Sequence, residues 1–351
     1  MARAFDLAWR GWGRVHPNPL VGAVVLADGE VVGEGWHAEY GRRHAEPLAL
    51  DQAGGRARGG TLVVTLEPCD HQGQQPPCTE AILSAGVRRV VAAIADPNPQ
   101  ARGGAARLGG LGVEVQLGLS SEAATAQNAV FLHRFRGAAR PFVALKLATS
   151  LDGKIADASA LSRWISGEIA REYVHWLRAG FDAIGIGGRT ARIDDPRLTV
   201  RGSVVPRVVP RRVIFDPAAD LDPKLTVIAT AGEVPTVVVA GEEAPSDVIS
   251  RLVASGVHVL RAGSLEDGLG ALAAEGVSSL LIEGGGRLAG ALIAAGLVDR
   301  FYWIQSPLWL GDRGIAATAG VPGGPIGRAD RWRVVERRAL GDDTLLVVDR
   351  S

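Results

Sequence analysis

Both cysteines of this 351-residue chain stand in one short stretch, Glu67-Pro68-Cys69-Asp70-His71-Gln72-Gly73-Gln74-Gln75-Pro76-Pro77-Cys78, with His44-Ala45-Glu46 upstream. A metal held by His44, Cys69 and Cys78 would draw three separate backbone segments to within a few ångströms of one point. No other feature restricts the fold so strongly. Zinc takes thiolate and imidazole ligands, and a catalytic zinc keeps about three protein ligands with one position open for water. The pKa of that water falls from about 15.7 to about 7, which gives a zinc hydroxide near neutral pH.

A carboxylate has still to move the protons. Glu46 lies two residues from a proposed ligand, is not needed as one, and is placed to shuttle protons between water and a leaving amine. Plainer readings stand beside this one. The cysteines alone suit a disulfide or two buried apolar side chains. Residues 1–12 contain Arg3, Asp6 and Arg10 and lack the continuous apolar core of a secretory leader, which disfavours the disulfide. A structural zinc would be closed by a fourth protein ligand and would have no use for Glu46. His71 is the spare candidate ligand, but is expected to face a substrate from its loop.

The surrounding pattern alternates strands and helices. Residues 21–26 and 30–36 flank Asp28-Gly29, a strong hairpin signal. Residues 44–53 read as a helix closed by Gly54-Gly55, with His44 and Glu46 in its first turn and Pro47 where a missing N–H costs little. Residues 61–66 read as a buried strand delivering Cys69, 78–85 as the next helix, and 87–94 and 113–117 as further strands. Two helix N-termini are thus expected at the metal. Gly103-Gly104 and Gly109-Gly110 are expected to loosen the helix between the last two strands, since an interior glycine costs about 1 kcal/mol relative to alanine. Such alternation implies a layered α/β sheet.

The run His16-Pro17-Asn18-Pro19-Leu20-Val21-Gly22, then His44-Ala45-Glu46, Thr65-Leu66-Glu67-Pro68-Cys69, Gly73, Pro76-Pro77-Cys78 and Asp96-Pro97-Asn98-Pro99, resembles the riboflavin-biosynthesis pyrimidine deaminases. Eight residues separate the cysteines, as in that family, where other nucleobase deaminases have two. The resemblance implies a cytidine-deaminase-like three-layer α/β/α domain over residues 1–138. It implies Zn2+ on His44, Cys69 and Cys78, Glu46 as the catalytic acid–base, and Asn18 with the loop between the cysteines facing the substrate. That substrate would be 2,5-diamino-6-(5-phosphoribosylamino)pyrimidin-4(3H)-one, whose 2-amino group gives way to oxygen with release of ammonia. The chain departs from the family's usual residues at Pro47 (an aliphatic), Asp70 (Ser) and Gln74-Gln75 (Arg-Thr). These loop changes replace a cation by neutral amides and add a carboxylate, so they bear on substrate affinity more than on the metal.

At roughly 150 residues per domain the length calls for a second domain. Residues 121–136 read as a helix, and Gly137-Ala138-Ala139-Arg140-Pro141 as a short connection to residues 139–351. Strand-like runs follow at 141–148, 181–187 and 278–283, the last entering Gly284-Gly285-Gly286 ahead of a helix. Such a turn can cradle a phosphate at a helix N-terminus, or be a plain tight turn.

Lys146-Leu147-Ala148, Ser150-Leu151-Asp152-Gly153-Lys154, Ser162-Arg163-Trp164-Ile165, Leu177-Arg178-Ala179, Asp182-Ala183-Ile184, Asp194-Asp195-Pro196, Leu198-Thr199, Arg201 and Glu283-Gly284-Gly285 resemble the reductase half of the bifunctional riboflavin-biosynthesis enzymes. That half is similar in fold to dihydrofolate reductase and uses NADPH to reduce the ribosyl group to ribityl. Carried over, the cofactor contacts fall on Ala148, Trp164, Thr190, Asp194 and the turn Gly285, Gly286, Arg287, Leu288, Ala289, Gly290 and Ala291. The substrate contacts fall on Ser162, Arg178, Leu198, Arg201 and Glu283, with the two arginines expected on the phosphate. No proton donor is legible, and Ala158-Ser159-Ala160-Leu161 replaces the family's glycine-containing turn.

Composition limits the alternatives. With 38 acidic and 38 basic residues the net charge is zero, so no footprint for nucleic acid is expected and a small phosphorylated pyrimidine is the expected partner. No apolar run reaches 18 residues, and no membrane association is expected. The expectation is a cytoplasmic homo-oligomer. A member with one half degenerate, or a deaminase of another amino-pyrimidine, stays open on the sequence.

Overall fold

Asp28 and Gly29 both take the left-handed backbone conformation (φ 52° and 81°), the geometry of a two-residue hairpin turn that follows the twist of its strands. The structure, a computed structural model, describes residues 1–350. They fall into two units, Met1–Gly137 and a second beginning at Ala138.

The first unit runs α1 (Ala2–Ala8), β1 (Gly22–Ala27), β2 (Glu30–Trp36), α2 (Ala45–Ala53), β3 (Thr61–Val64), α3 (Cys78–Ala85), β4 (Arg89–Ala92), α4 (Gly104–Gly110), β5 (Glu114–Leu117), α5 (Ser121–Gln127) and α6 (Ala129–His133). Its sheet has the order β2-β1-β3-β4-β5, antiparallel through β1 and parallel from β3 to β5. Alternation along β1 makes the layers. Val24 packs with Ala4 and Leu7 of α1 on one face, while Ala23 and Val25 join Ala45, Ala49, Leu62, Val64 and Ile82 on the other. The sheet is therefore covered on both faces by helices, the three layers expected.

Two elements differ from the sequence reading. The strand expected to 66 ends at Val64; beyond it the Glu67 N–H turns to the Ile94 carbonyl (2.9 Å), and the chain bends toward Cys69. The single helix expected over 121–136 is two, broken at Asn128. That buried side chain accepts from Leu20 N (2.8 Å) and donates to Leu20 O (3.0 Å), and so completes the backbone pairing of a segment that has no strand beside it.

The second unit contains β6 (Phe142–Thr149), β7 (Lys154–Ala156), α7 (Glu168–Arg178), β8 (Ala183–Gly187), α8 (Gly188–Asp194), β9 (Arg211–Phe215), α9 (Thr226–Ala229), β10 (Thr236–Gly241), α10 (Ser246–Ala254), β11 (His258–Ala262), α11 (Leu265–Ala274), β12 (Ser279–Glu283), α12 (Gly286–Ala294), β13 (Arg300–Gln305), β14 (Ile315–Ala316), β15 (Trp332–Leu340) and β16 (Asp343–Arg350). Nine strands form one sheet in the order β11-β10-β9-β8-β12-β6-β13-β16-β15. It is parallel from β11 through β13 and ends in the antiparallel pair β16 and β15. Separate apolar clusters fill its two faces: Val143, Leu145, Val213 and Leu280 belong to one, Ile184, Ile186, Ile214 and Val238 to the other. Strand order reverses between β8, β12 and β6, where a crevice at the strands' carboxyl ends is the expected ligand site of an open parallel sheet.

Candidate active site

In the first unit the three predicted ligands converge. His44 is the N-cap of α2 and Cys78 the first residue of α3, so two helix N-termini do meet there. Helix α2 is held close because glycines face it from β2: a Cβ on Gly33 or Gly35 would lie 2.1 and 2.2 Å from the Ala49 and Ala45 carbonyls. His44 Nδ1 lies 3.2 Å from Cys78 Sγ and 3.5 Å from Cys69 Sγ, and all three ligand atoms lie within 4.8 Å of one another. Tetrahedral bonds of about 2.0 Å to nitrogen and 2.3 Å to sulfur give ligand separations of roughly this size, so the donor set fits zinc. Both thiols are free and buried. Hydrogen bonds from Cys78 and His44 outweigh burial and push Cys69 down to about 4; the same contact with Cys69 raises Cys78.

Glu46 is buried, and its Oε2 has no hydrogen-bond partner. Burial pushes its carboxyl up to about 7, into the range of a group that can both take and give a proton. It shares with His44 and Cys69 a cavity of about 220 Å³. Asn18 and His71 also line this cavity, as do Asp96 and Asn98. The buried Nδ1 of His71 has no partner within the protein, in keeping with a loop residue that meets a ligand.

His37 went unassigned in the sequence, where a lone histidine carries no signal. Its Nδ1 lies 3.2 Å from the Arg43 carbonyl and its Nε2 3.1 Å from Asn18 Nδ2. A carbonyl only accepts, so Nδ1 bears the hydrogen and Nε2 accepts from the Asn18 amide. Burial holds His37 down at about 4, which keeps the ring neutral and this bond in place. The added carboxylate, Asp70, is satisfied away from the cavity: it accepts from Thr79 Oγ1 (2.8 Å) and from Arg107 (2.5 Å).

The second unit holds a larger cavity, about 1170 Å³, room for a dinucleotide beside a sugar phosphate. Ala148, Ser162, Trp164, Thr190, Asp194, Arg178, Leu198, Arg201, Glu283, Gly285, Gly286, Arg287 and Leu288 all line it. Gly284 and Gly285 take positive φ (67° and 82°), and a Cβ on Gly285 would lie 2.8 Å from Thr190 Oγ1. The glycines are thus required by the turn itself and by the approach of Thr190.

Three residues assigned to the cofactor turn lie elsewhere. Ala289 is fully buried in the core, and Ala291 is exposed outside the cavity. Gly290 is a packing residue, since its Cβ would lie 1.9 Å from the Ala319 carbonyl. One helical turn has carried all three past the mouth of α12. Arg178 lines the cavity and is also anchored within the protein. Its Nε and Nη2 donate to the two oxygens of Glu283 (2.6 and 2.8 Å) and its Nη1 to the Thr199 carbonyl (2.8 Å), so its charge is committed within the protein. Arg201 lines the cavity and is exposed. Lys146, unassigned in the sequence, lines the cavity opposite Glu283 in the β6–β12 register, and burial lowers its pKa. The turn lacking glycine is closed by Asp157, which accepts from Ser159 N (2.7 Å) and Leu161 N (3.0 Å) while Ala160 takes φ 64°.

Comparison with known proteins follows the same division. Residues 1–94 match the family model described as the cytidine and deoxycytidylate deaminase zinc-binding region, and residues 141–346 match that of the RibD C-terminal domain. The chain is 39% identical over 362 residues to the riboflavin biosynthesis protein RibD of Escherichia coli K12, covering 99% of this chain and 97% of that protein. It is 37% identical over 353 residues to RibD of Aquifex aeolicus, covering 100% and 97%. Among solved structures, Acinetobacter baumannii RibD aligns with a TM-score of 0.81 at 34% identity over 100% of this chain and 97% of that one. The diaminohydroxyphosphoribosylaminopyrimidine deaminase/5-amino-6-(5-phosphoribosylamino)uracil reductase of Thermotoga maritima aligns with a TM-score of 0.82 at 34% identity and the same coverage. With a His/Cys/Cys site in one unit, a glycine-turn cavity in the other and relatives matched over 97% of their length, the chain belongs to the RibD family of riboflavin biosynthesis.

Proposed function

We propose that the chain performs both reactions of the bifunctional family. Residues 1–138 deaminate 2,5-diamino-6-(5-phosphoribosylamino)pyrimidin-4(3H)-one to 5-amino-6-(5-phosphoribosylamino)uracil and ammonia. Residues 139–351 reduce the product's ribosyl group to ribityl with NADPH. One observation carries the reading: the His44, Cys69 and Cys78 donor atoms lie within 4.8 Å of one another, and His44 and Cys69 line a cavity that Glu46, with its unpartnered Oε2, also lines.

Zinc, when bound by His44, Cys69 and Cys78, acidifies a water and so supplies the nucleophile for the ring carbon that carries the amine. Glu46 takes the proton released by that water on its carboxylate and delivers it to the departing amine, which leaves as ammonia. Asn18, its amide held by His37, offers its carbonyl to the ring, and the cavity encloses a pyrimidine without room for a base pair.

NADPH, when bound, supplies a hydride. Trp164, Thr190, Asp194 and the Gly284–Leu288 segment hold that cofactor, and Arg201, an exposed cation of the lining, meets the substrate's phosphate. Reduction of the open-chain carbonyl also consumes a proton at oxygen. Lys146 is the ionisable donor beside the Glu283–Arg178 pair, and its lowered pKa eases that transfer. We place this chemistry on a homo-oligomer in the cytoplasm; no described helix is long and apolar enough to cross a membrane.

The test follows ammonia release and NADPH oxidation together on zinc-loaded protein. Both are expected for the wild type. Glu46→Gln should keep its zinc, lose about 10²–10⁴-fold in ammonia release, and still oxidise NADPH when given the deaminated product. Ammonia without NADPH oxidation would confine activity to the first unit, and full ammonia release by Glu46→Gln would remove the proton-transfer role.

A further inference from the structure

A phosphorylated substrate needs a cation where its phosphate sits, and the first cavity is poor in cations. Its walls carry three carboxylates, Glu46, Glu67 and Asp96. Of its three imidazoles, His44 is committed to the metal cluster, His37 is neutral, and His71 stands in the cysteine loop with its Nδ1 buried rather than at the exposed mouth. The one guanidinium in the lining is Arg42; no lysine is present there among the described residues. At about 220 Å³ the cavity holds the ring, so a ribose phosphate attached to that ring extends to the mouth, where Arg42 is exposed.

The segment around Arg42 is held in place. Gly41 takes φ 83°, and the Arg42 N–H closes the turn onto the Glu39 carbonyl (3.0 Å). Gln75 Nε2 donates to the Gly41 carbonyl (3.2 Å), and Gln74 Nε2 donates to the Tyr40 hydroxyl (3.3 Å). Both amides grip the backbone and side chain next to Arg42. The neighbouring Arg43 is different: it pairs with Asp51 (2.6 Å) and lies outside the cavity lining. No acidic group among the described residues pairs with Arg42.

We propose that Arg42, on the turn that the cysteine loop clamps, is the phosphate-recognition residue of the deaminase site. The proposal rests on the substrate assigned above. A guanidinium donates two parallel hydrogen bonds to a phosphate, and so favours the phosphorylated over the dephosphorylated compound.

Ammonia release by the full zinc-loaded chain is measured with the phosphorylated diaminopyrimidine and with the same compound after phosphatase treatment. The readout is the ratio of the two kcat/KM values. Arg42→Ala should lower that ratio about tenfold, in keeping with a charge-assisted bond at a wet cavity mouth. Arg42→Lys should fall between wild type and Arg42→Ala, and Arg42→Glu below both. A ratio that ignores the charge at this position, or a loss shared equally by the two substrates, overturns the proposal. Absence of ammonia from the wild type with either compound, at full zinc occupancy, overturns the substrate reading itself, a result no Arg42 variant can produce.

Discussion

Arg178 and Glu283 show what a residue-level reading of sequence misses. Both were legible as members of one family pattern, and both line the same cavity, but their bidentate pairing spans 105 positions of sequence and has no local signature. The side chains are 13% and 11% exposed, so removal of one leaves a poorly hydrated charge and costs about 3–5 kcal/mol. Burial alone would raise Glu283; attraction to Arg178 outweighs it and holds the carboxyl below its ordinary value. An acid depressed in this way stabilises the fold above its unfolded pKa, and that contribution is lost as pH falls through the folded value. Without the arginine, burial is opposed only by Lys146 and His175, and the prediction is that burial then wins and the sign reverses. Arg178→Ala should therefore lose more stability at pH 8 than at pH 5, measured as unfolding midpoints against wild type at each pH. An equal loss at both would show that Glu283 finds another partner. The metal ligands were readable for the opposite reason: His44, Cys69 and Cys78 are rare residue types at a spacing that chemistry restricts, whereas His37 and Lys146 act through neighbours that only folding supplies.

At the scale of elements, periodicity and punctuation located most strands and helices of the first unit, and missed where tertiary contacts override them. Asn128 divides a helix that its sequence would continue, because Leu20 needs both of its amide bonds. Helix α4 was expected to be loosened by all its glycines, yet they are not equivalent. A Cβ on Gly104 would lie 1.9 Å from the Pro68 carbonyl, while Gly109 and Gly110 face open space. Pro68 immediately precedes Cys69, so the glycine lets α4 lie against the very peptide that delivers a ligand. Glu67 fastens the same end, accepting from Gly103 N (3.2 Å) and Ala105 N (2.9 Å). Gly104→Ala should displace this segment, with a cost of about 1–3 kcal/mol and weaker zinc retention against a chelator. Gly109→Ala and Gly110→Ala should be neutral or stabilising by up to about 1 kcal/mol. A Gly104→Ala protein that holds zinc as firmly as wild type would show that α4 moves independently of Cys69.

On the scale of the whole molecule, each unit has its own sheet and its own apolar clusters, Leu62, Val64 and Ile82 in one and Leu145, Leu280 and Ile282 in the other. Each also has its own cavity, and the zinc donors and Glu46 all precede Gly137. A stretch with a closed core and a complete set of reacting groups has what independent folding requires. The length and the short Gly137–Pro141 connection are the sequence signals that led to an expected division near this point, since a linker of that size separates units without a structure of its own. Cutting the gene after Gly137 should then yield an N-terminal piece that binds one zinc and releases ammonia without NADPH, and a C-terminal piece that oxidises NADPH only when supplied with the deaminated compound. Zinc content and the two rates, measured on the separate pieces and on their mixture, check this. Ammonia release that appears only on mixing would mean that the first site needs groups from beyond residue 137, and would move the functional boundary away from the boundary of the cores.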